Sequence, residues 1–165
     1  MRRRGIAIAL MTMAAMTVPA GASAQKLVFL VRHAERADAG ATPQTDPPLS
    51  AAGQARAQKL AALLADAGIT SIVTTEFVRT QQTAERLATR LGVTPETVAA
   101  DNPAGVVATL KISHGNEIVL AVGHADTLPA ILKAYGKADV AIADTEYDNL
   151  FIIVPATGTV TRLRY

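Results

Sequence analysis

Arg32, His33, Arg79 and His124 are the residues of this 165-residue sequence whose types and positions suggest chemistry. Arg32 and His33 follow directly on the apolar run LVFLV, and His124 follows on IVLAVG. Arg79 falls in the first turn of the amphipathic stretch that comes after ITSIVTT. In an open parallel α/β sheet the ligand site lies beyond the carboxyl ends of the strands. If the three apolar runs are neighbouring strands, the two His and two Arg converge on one spot. Guanidinium forks pair bidentately with phosphoryl oxygens. A neutral imidazole can attack phosphorus in line, and a second imidazole can stabilise the charge that builds up. The Arg pair supplies the neutralisation, so no metal and no cofactor is expected. A single His at a strand end is usually structural, and convergence is what favours chemistry. His114, in SHGN, is assigned to a turn.

The elements that must position these groups follow from the apolar patterning. Leu27–Val31 is a continuous apolar run of the kind found in strands covered on both faces. Ala37–Pro48, rich in Gly, Pro, Asp and Thr, is a loop. Ser50 caps a helix expected to reach Ala67, with Leu60, Leu63, Leu64 and Ala67 at helical spacing and Gly68 as its stop. Ile69–Thr74 is a second strand. Phe77–Leu91 is a helix with Phe77, Thr80, Ala84, Leu87, Ala88 and Leu91 on one face, ended by Gly92. A weak strand precedes Asp101, and Pro103 opens a third helix reaching Lys111. Glu117–Val122 is a strand and Thr127–Tyr135 a short helix stopped by Gly136. Leu150–Val154 and Thr159–Leu163 form a hairpin. Strands alternating with helices predict a three-layer α/β/α arrangement with a mainly parallel central sheet and a C-terminal antiparallel hairpin.

Charge and composition narrow the function classes. The formal net charge is +2, from 16 basic and 14 acidic residues. Arg2, Arg3 and Arg4 precede an apolar stretch, Ile6–Val18, then Pro19 and Ala22-Ser23-Ala24. That is the pattern of a cleaved signal peptide over residues 1–24. The apolar run, about 13 residues, is short for a membrane span of about 20. Removing three Arg leaves 13 basic against 14 acidic residues, a charge of −1. The basic balance therefore belongs to the leader and points to no nucleic-acid or lipid partner. Residues 25–165 are expected to form one exported domain, in a bacterial periplasm or secreted, with no membrane association after cleavage. The chain contains no Cys, which excludes a disulfide scaffold, a thiolate metal site and a Cys nucleophile.

Four segments then resemble the histidine phosphatase superfamily, also called phosphoglycerate-mutase-like. VFLVRHAER (28–36) is similar to its R-H-G motif, and DPPLSAAGQARA (46–57) to the D-x-P-L-[ST]-x-x-G segment. IVTTEFVRTQQTAERLA (72–88) resembles the element carrying the second Arg. VLAVGHADTLPAIL (119–132) resembles the strand–G-H–helix element. The resemblance implies that His33 is the phosphorylated nucleophile, that Arg32 and Arg79 bind phosphoryl oxygens, and that His124 completes the pocket. Ala34 stands where the motif has Gly, which restricts φ there. In mutase-like members a Glu between the second Arg and second His protonates the leaving group. Here Asp101 and Asp126 are the candidates, with helix capping or a turn as their structural alternatives, and Glu35 and Glu76 lie close to the pocket in sequence.

The expected function is a metal-independent phosphatase acting on a phosphorylated small molecule or phospho-side chain through a phosphohistidine. Without a strong acid, activated phosphates are favoured; a mutase, which needs a water-excluding pocket, is less expected. Two alternatives stand beside it: a degenerate phosphate-binding protein of the same fold, and a metallohydrolase using His33, His124 and Asp126 as ligands.

Overall fold

The computed structural model describes residues 27–37 and 46–165. The leader-like segment and most of the loop expected at 37–48 lie outside the described residues. The elements run β1 (Leu27–Arg32), α1 (Ala51–Leu63), β2 (Ser71–Thr74), α2 (Val78–Leu91), β3 (Glu96–Thr97), α3 (Pro103–Ala108), β4 (Ile118–Gly123), α4 (Leu128–Ala134), β5 (Asn149–Val154) and β6 (Thr159–Arg164). They build a six-stranded sheet in the order β3-β2-β4-β1-β5-β6. Strands β3, β2, β4 and β1 are mutually parallel. The hairpin β5–β6 joins antiparallel to β1.

The period of two along each strand sorts the core into two layers. Val28 and Leu30 of β1, with Val119 and Ala121 of β4, face α3 and α4 through Val106, Leu128, Ile131 and Leu132. Phe29 and Val31, with Leu120 and Val122, face α1 and α2 through Leu60, Leu64, Ala84 and Leu87. Both faces of the parallel strands are covered, which is why these runs are apolar throughout. The result is the mainly parallel α/β/α arrangement expected from the sequence, with its antiparallel C-terminal hairpin.

Local details depart from expectation for identifiable reasons. Helix α1 ends at Leu63 rather than Ala67: the chain tightens after Leu64, where Ala67 N–H donates to Leu64 O (3.1 Å), before Gly68 turns at φ 72°. Leu63 is exposed, not part of the buried face. At about 100° per residue, Gly53, Ala57, Leu60, Ala61 and Leu64 share one arc, and Leu63 projects roughly 60° outside it. The third helix is α-helical only to Ala108, and Thr109–Ser113 continues as a π-helical turn. The strand before Asp101 is reduced to two residues, Glu96–Thr97. Ser50 caps α1 as expected, its Oγ accepting from Gly53 N–H. Among the described residues no helix is long and apolar enough to cross a membrane.

Candidate active site

The strand order brings the three carboxyl ends together. Parallel pairing sets Arg32 opposite Gly123, and His33 N–H donates to Gly123 O (2.9 Å). Residues Thr74 and Thr75 leave β2 on the other side of β4. An open cleft of about 900 Å³ lies over these ends and is lined by Arg32, His33, Arg79 and His124. The two imidazole rings are 5.3 Å apart between centroids. The sequence-predicted quartet therefore shares one cavity.

His33 is 5% exposed and its orientation is fixed by the backbone. Its Nδ1 lies 2.8 Å from Ala34 O, and a carbonyl can only accept, so Nδ1 carries the proton. Nε2 is left with the lone pair. Burial, together with the charges of His124, Arg32 and Arg79, pushes the His33 pKa down to about 3 against the opposing Ala34 hydrogen bond. The ring is thus neutral near pH 7, the state a nucleophile needs. Ala34 N–H donates to Thr83 Oγ1 (2.9 Å), whose hydroxyl donates to Arg79 O (2.7 Å). The first turns of α2 therefore hold the loop after β1. Ala34, fully buried against Leu49 and Ala57, has no positive φ, so its methyl is accommodated where the motif has Gly.

His124 is 7% exposed and shares a hydrogen bond between Nε2 and Thr75 Oγ1 (3.0 Å). Thr75 Oγ1 is in turn 3.0 Å from Thr80 Oγ1, which donates to Phe77 O (2.8 Å). Burial, helped by the Arg79 charge, lowers the His124 pKa to about 4. Phe77 packs edge-on against the ring, at 5.5 Å between centroids.

The two arginines are anchored differently. Arg32 Nη1 donates to the carbonyls of Ala143, Asp144 and Glu146 (2.9–3.2 Å). Its guanidinium also stacks 4.1 Å from the Tyr147 ring centroid. Arg79 pairs with Asp46 (3.3 Å) and stacks on Phe77 (4.0 Å). In both side chains Nε is buried without a partner. A buried N–H donor left unpaired is costly. Two of them lie beside one cleft.

Asp101 and Asp126 both line the cleft. Neither caps a helix: the caps are Asn102, accepting from Gly105 N–H, and Thr127, whose Oγ1 meets His124 N. Glu35 is drawn off by Arg56, which donates to both its oxygens (2.7–3.0 Å). Glu76 accepts from Ala100 N–H. His114 sits in a turn between Glu96 and Glu117, far in sequence and absent from the cleft lining. Sequence reasoning missed Arg36, Asp144 and Tyr147, which also line the cleft. Arg36 could have been noticed four residues after Arg32 in RHAER; the stretch 143–147 has no periodic pattern to announce it. Among the described residues, no group of three or more His, Asp or Glu side chains is disposed to hold a metal ion.

The fold is an α/β/α sheet whose parallel strand ends carry two His and two Arg in one cleft. The model of the histidine phosphatase superfamily, branch 1, matches residues 28–102, in line with the resemblance carried by the sequence motifs. A protein of Yersinia enterocolitica named "Probable phosphoglycerate mutase GpmB" is 42% identical over 69 residues, covering 40% of this chain and 32% of that protein. Its Escherichia coli counterpart is 38% identical over 68 residues, again 32% of the relative. The chain thus matches about a third of the length of these curated relatives. The protein histidine phosphatase SixA, solved with tungstate, has a TM-score of 0.64 at 18% identity, covering 83% of this chain and 94% of that one. A mycobacterial glucosyl-3-phosphoglycerate phosphatase has a TM-score of 0.64 at 17% identity, covering 76% and 88%. At such identities the likeness is one of fold.

Proposed function

We propose that the protein is a metal-independent phosphatase working through a phosphohistidine on His33. The observation that carries this is a buried, neutral His33 with Nδ1–H tied to Ala34 O, beside two buried guanidinium Nε–H donors without partners. The phosphoryl group sits against Arg32 and Arg79, and the Nε2 lone pair of His33 attacks phosphorus. The N–P bond forms as the P–O bond to the leaving group breaks. Asp126 or Asp101, when protonated, gives its proton to the leaving oxygen. Water then attacks phosphorus and loses a proton to the same carboxylate; the N–P bond breaks, returning neutral His33 and releasing phosphate. His124, with the two guanidinium groups, stabilises the equatorial oxygens. The substrate is a phosphorylated small molecule or phospho-side chain, and the leader-like N-terminus supports action outside the cytoplasm.

The test uses p-nitrophenyl phosphate in excess EDTA, quenched in alkali. Turnover with an acid-labile, alkali-stable phosphoryl group on the His33 peptide is the expected result. His33→Ala should abolish turnover and keep phosphate binding. A wild-type protein that binds phosphate but turns over no activated phosphate would instead be a binding member of the fold. Activity lost to EDTA and restored by a divalent ion would favour the metallohydrolase.

A further inference from the structure

Above the guanidinium floor the cleft changes sign. Asp101, in the turn before α3, Asp126, before α4, and Asp144, before β5, all line it and are all exposed. Among the described residues no side-chain hydrogen bond or ion pair holds any of the three. The one other charged side chain in the lining is Arg36; Arg79 feels its charge, as it feels that of Asp126. Leaving aside Arg32 and Arg79, three carboxylates against one guanidinium give the wall a net −2. The floor points independently to an anion: Arg32 is 94% buried by its 6% exposure, and its Nε has no partner. A ligand that satisfies both levels is negative at one end and positive at the other.

We propose that the cleft selects phosphorylated substrates whose leaving group carries a positive charge, an ammonium a few bonds from the phosphate. This rests on the phosphatase proposal above and specifies its substrate class. The dianionic phosphoryl group is held by the arginines, while the cationic end meets the carboxylates from three separate turns. Tyr147, on the same wall, supplies an aromatic surface for the short chain between them. Whichever aspartate serves the reaction, two others stay on the wall beside the leaving group. A substrate with a carboxylate beside its phosphate, as in a phosphoglycerate, is repelled by the same wall.

The experiment uses short non-hydrolysable phosphonates on the wild-type protein: 2-aminoethylphosphonate, its near-isostere propylphosphonate, and the slightly larger 2-carboxyethylphosphonate. Affinity is read by calorimetry and by competition with p-nitrophenyl phosphate. The ammonium ligand should bind roughly tenfold more tightly than the propyl one, the sum of several exposed charge contacts. The carboxylate ligand should bind several-fold more weakly than the propyl one. Raising NaCl from 0.05 to about 0.5 M should shrink both gaps, as should Asp126→Asn with Asp144→Asn. A carboxyethyl ligand binding as tightly as the aminoethyl one overturns the charge selection. If p-nitrophenyl phosphate is still turned over in that case, the phosphatase proposal survives it. Absence of both turnover and phosphonate binding removes the two together.

Discussion

The neutral state of the two buried imidazoles makes stability a readout of the site. An unfolded His titrates near 6.5, whereas burial holds His33 at about 3 and His124 at about 4. Between those values the unfolded chain binds protons that the folded chain refuses, so stability falls as pH falls from about 7 toward 3. At pH 5 the cost is RT ln[(1 + 10^(pKU − pH))/(1 + 10^(pKN − pH))], about 2 kcal/mol for each ring and about 4 kcal/mol together. At pH 7.5 it is near zero. His114 has the opposite sign: Glu96 and Glu117 raise its pKa above the ordinary value, despite the burial that opposes them. Its stabilisation is present below 6.5 and lost as pH rises through the folded value. The comparison is therefore wild type against His33→Gln/His124→Gln at both pH values, where His114 cancels. Urea unfolding followed by far-UV circular dichroism suits a chain without Trp. With a slope of about 2 kcal/mol per M, the wild-type midpoint should drop about 2 M further than the variant's between pH 7.5 and 5. Equal drops would mean that the folded rings are protonated at pH 5, which would remove the physical basis for an Nε2 nucleophile.

Other outcomes follow from single contacts. Arg32→Lys loses the three carbonyl bonds, the Tyr147 stack and the planar fork; kcat/KM for p-nitrophenyl phosphate should fall by about 10²–10³. Gly53→Ala drives a Cβ into the Glu35 carbonyl; thermal or urea unfolding should show a loss of about 1–2 kcal/mol, since overpacking outweighs the helix propensity of Ala. Glu146→Gln weakens the ion pairs to Arg162 and Arg164; KM should rise about threefold to tenfold with far-UV circular dichroism unchanged.

What the sequence makes legible is what repeats along it. LVFLV and IVLAVG announce strands buried on both sides, and Gly92 closes α2 in the left-handed conformation at φ 67°. The positions of Arg32, His33, Arg79 and His124 are legible because a strand end is a local feature. Their convergence needs β1, β4 and β2 to be neighbours, and nothing local specifies that order. The wall of the cleft is the least legible part: Tyr147 and Asp144 lie in an aperiodic stretch, placed by contacts far away in sequence. Asp126 shows the same limit at one residue. An Asp just before a helix reads as a cap, yet Thr127 Oγ1 makes the contact with His124 and leaves the carboxylate to the cleft.

Arg32 shows how much of such a site lies outside its motif. The guanidinium is held by three carbonyls of the 143–147 stretch, and that stretch is not held by itself. Glu146 fastens it, accepting from Ala143 N–H and pairing with Arg162 and Arg164 on the last strand. The Arg164 hydrogen bond above all, then the Ala143 N–H, brings the Glu146 pKa down to about 2. On the other side, Arg56 ties Glu35, two residues past His33, to Tyr165 O (3.2 Å). The antiparallel hairpin therefore does more than cover β1. Its ion pairs lie upstream of the loop that orients Arg32, so loosening β6 should degrade phosphate affinity before it degrades the fold. Arg162→Ala with Arg164→Ala is the sharpest form of that expectation. Phosphate affinity should fall about tenfold, with Nε2 of His33 still neutral and phosphorylatable at saturating substrate. An unchanged phosphate affinity would show that the three carbonyl bonds hold Arg32 without support from β6.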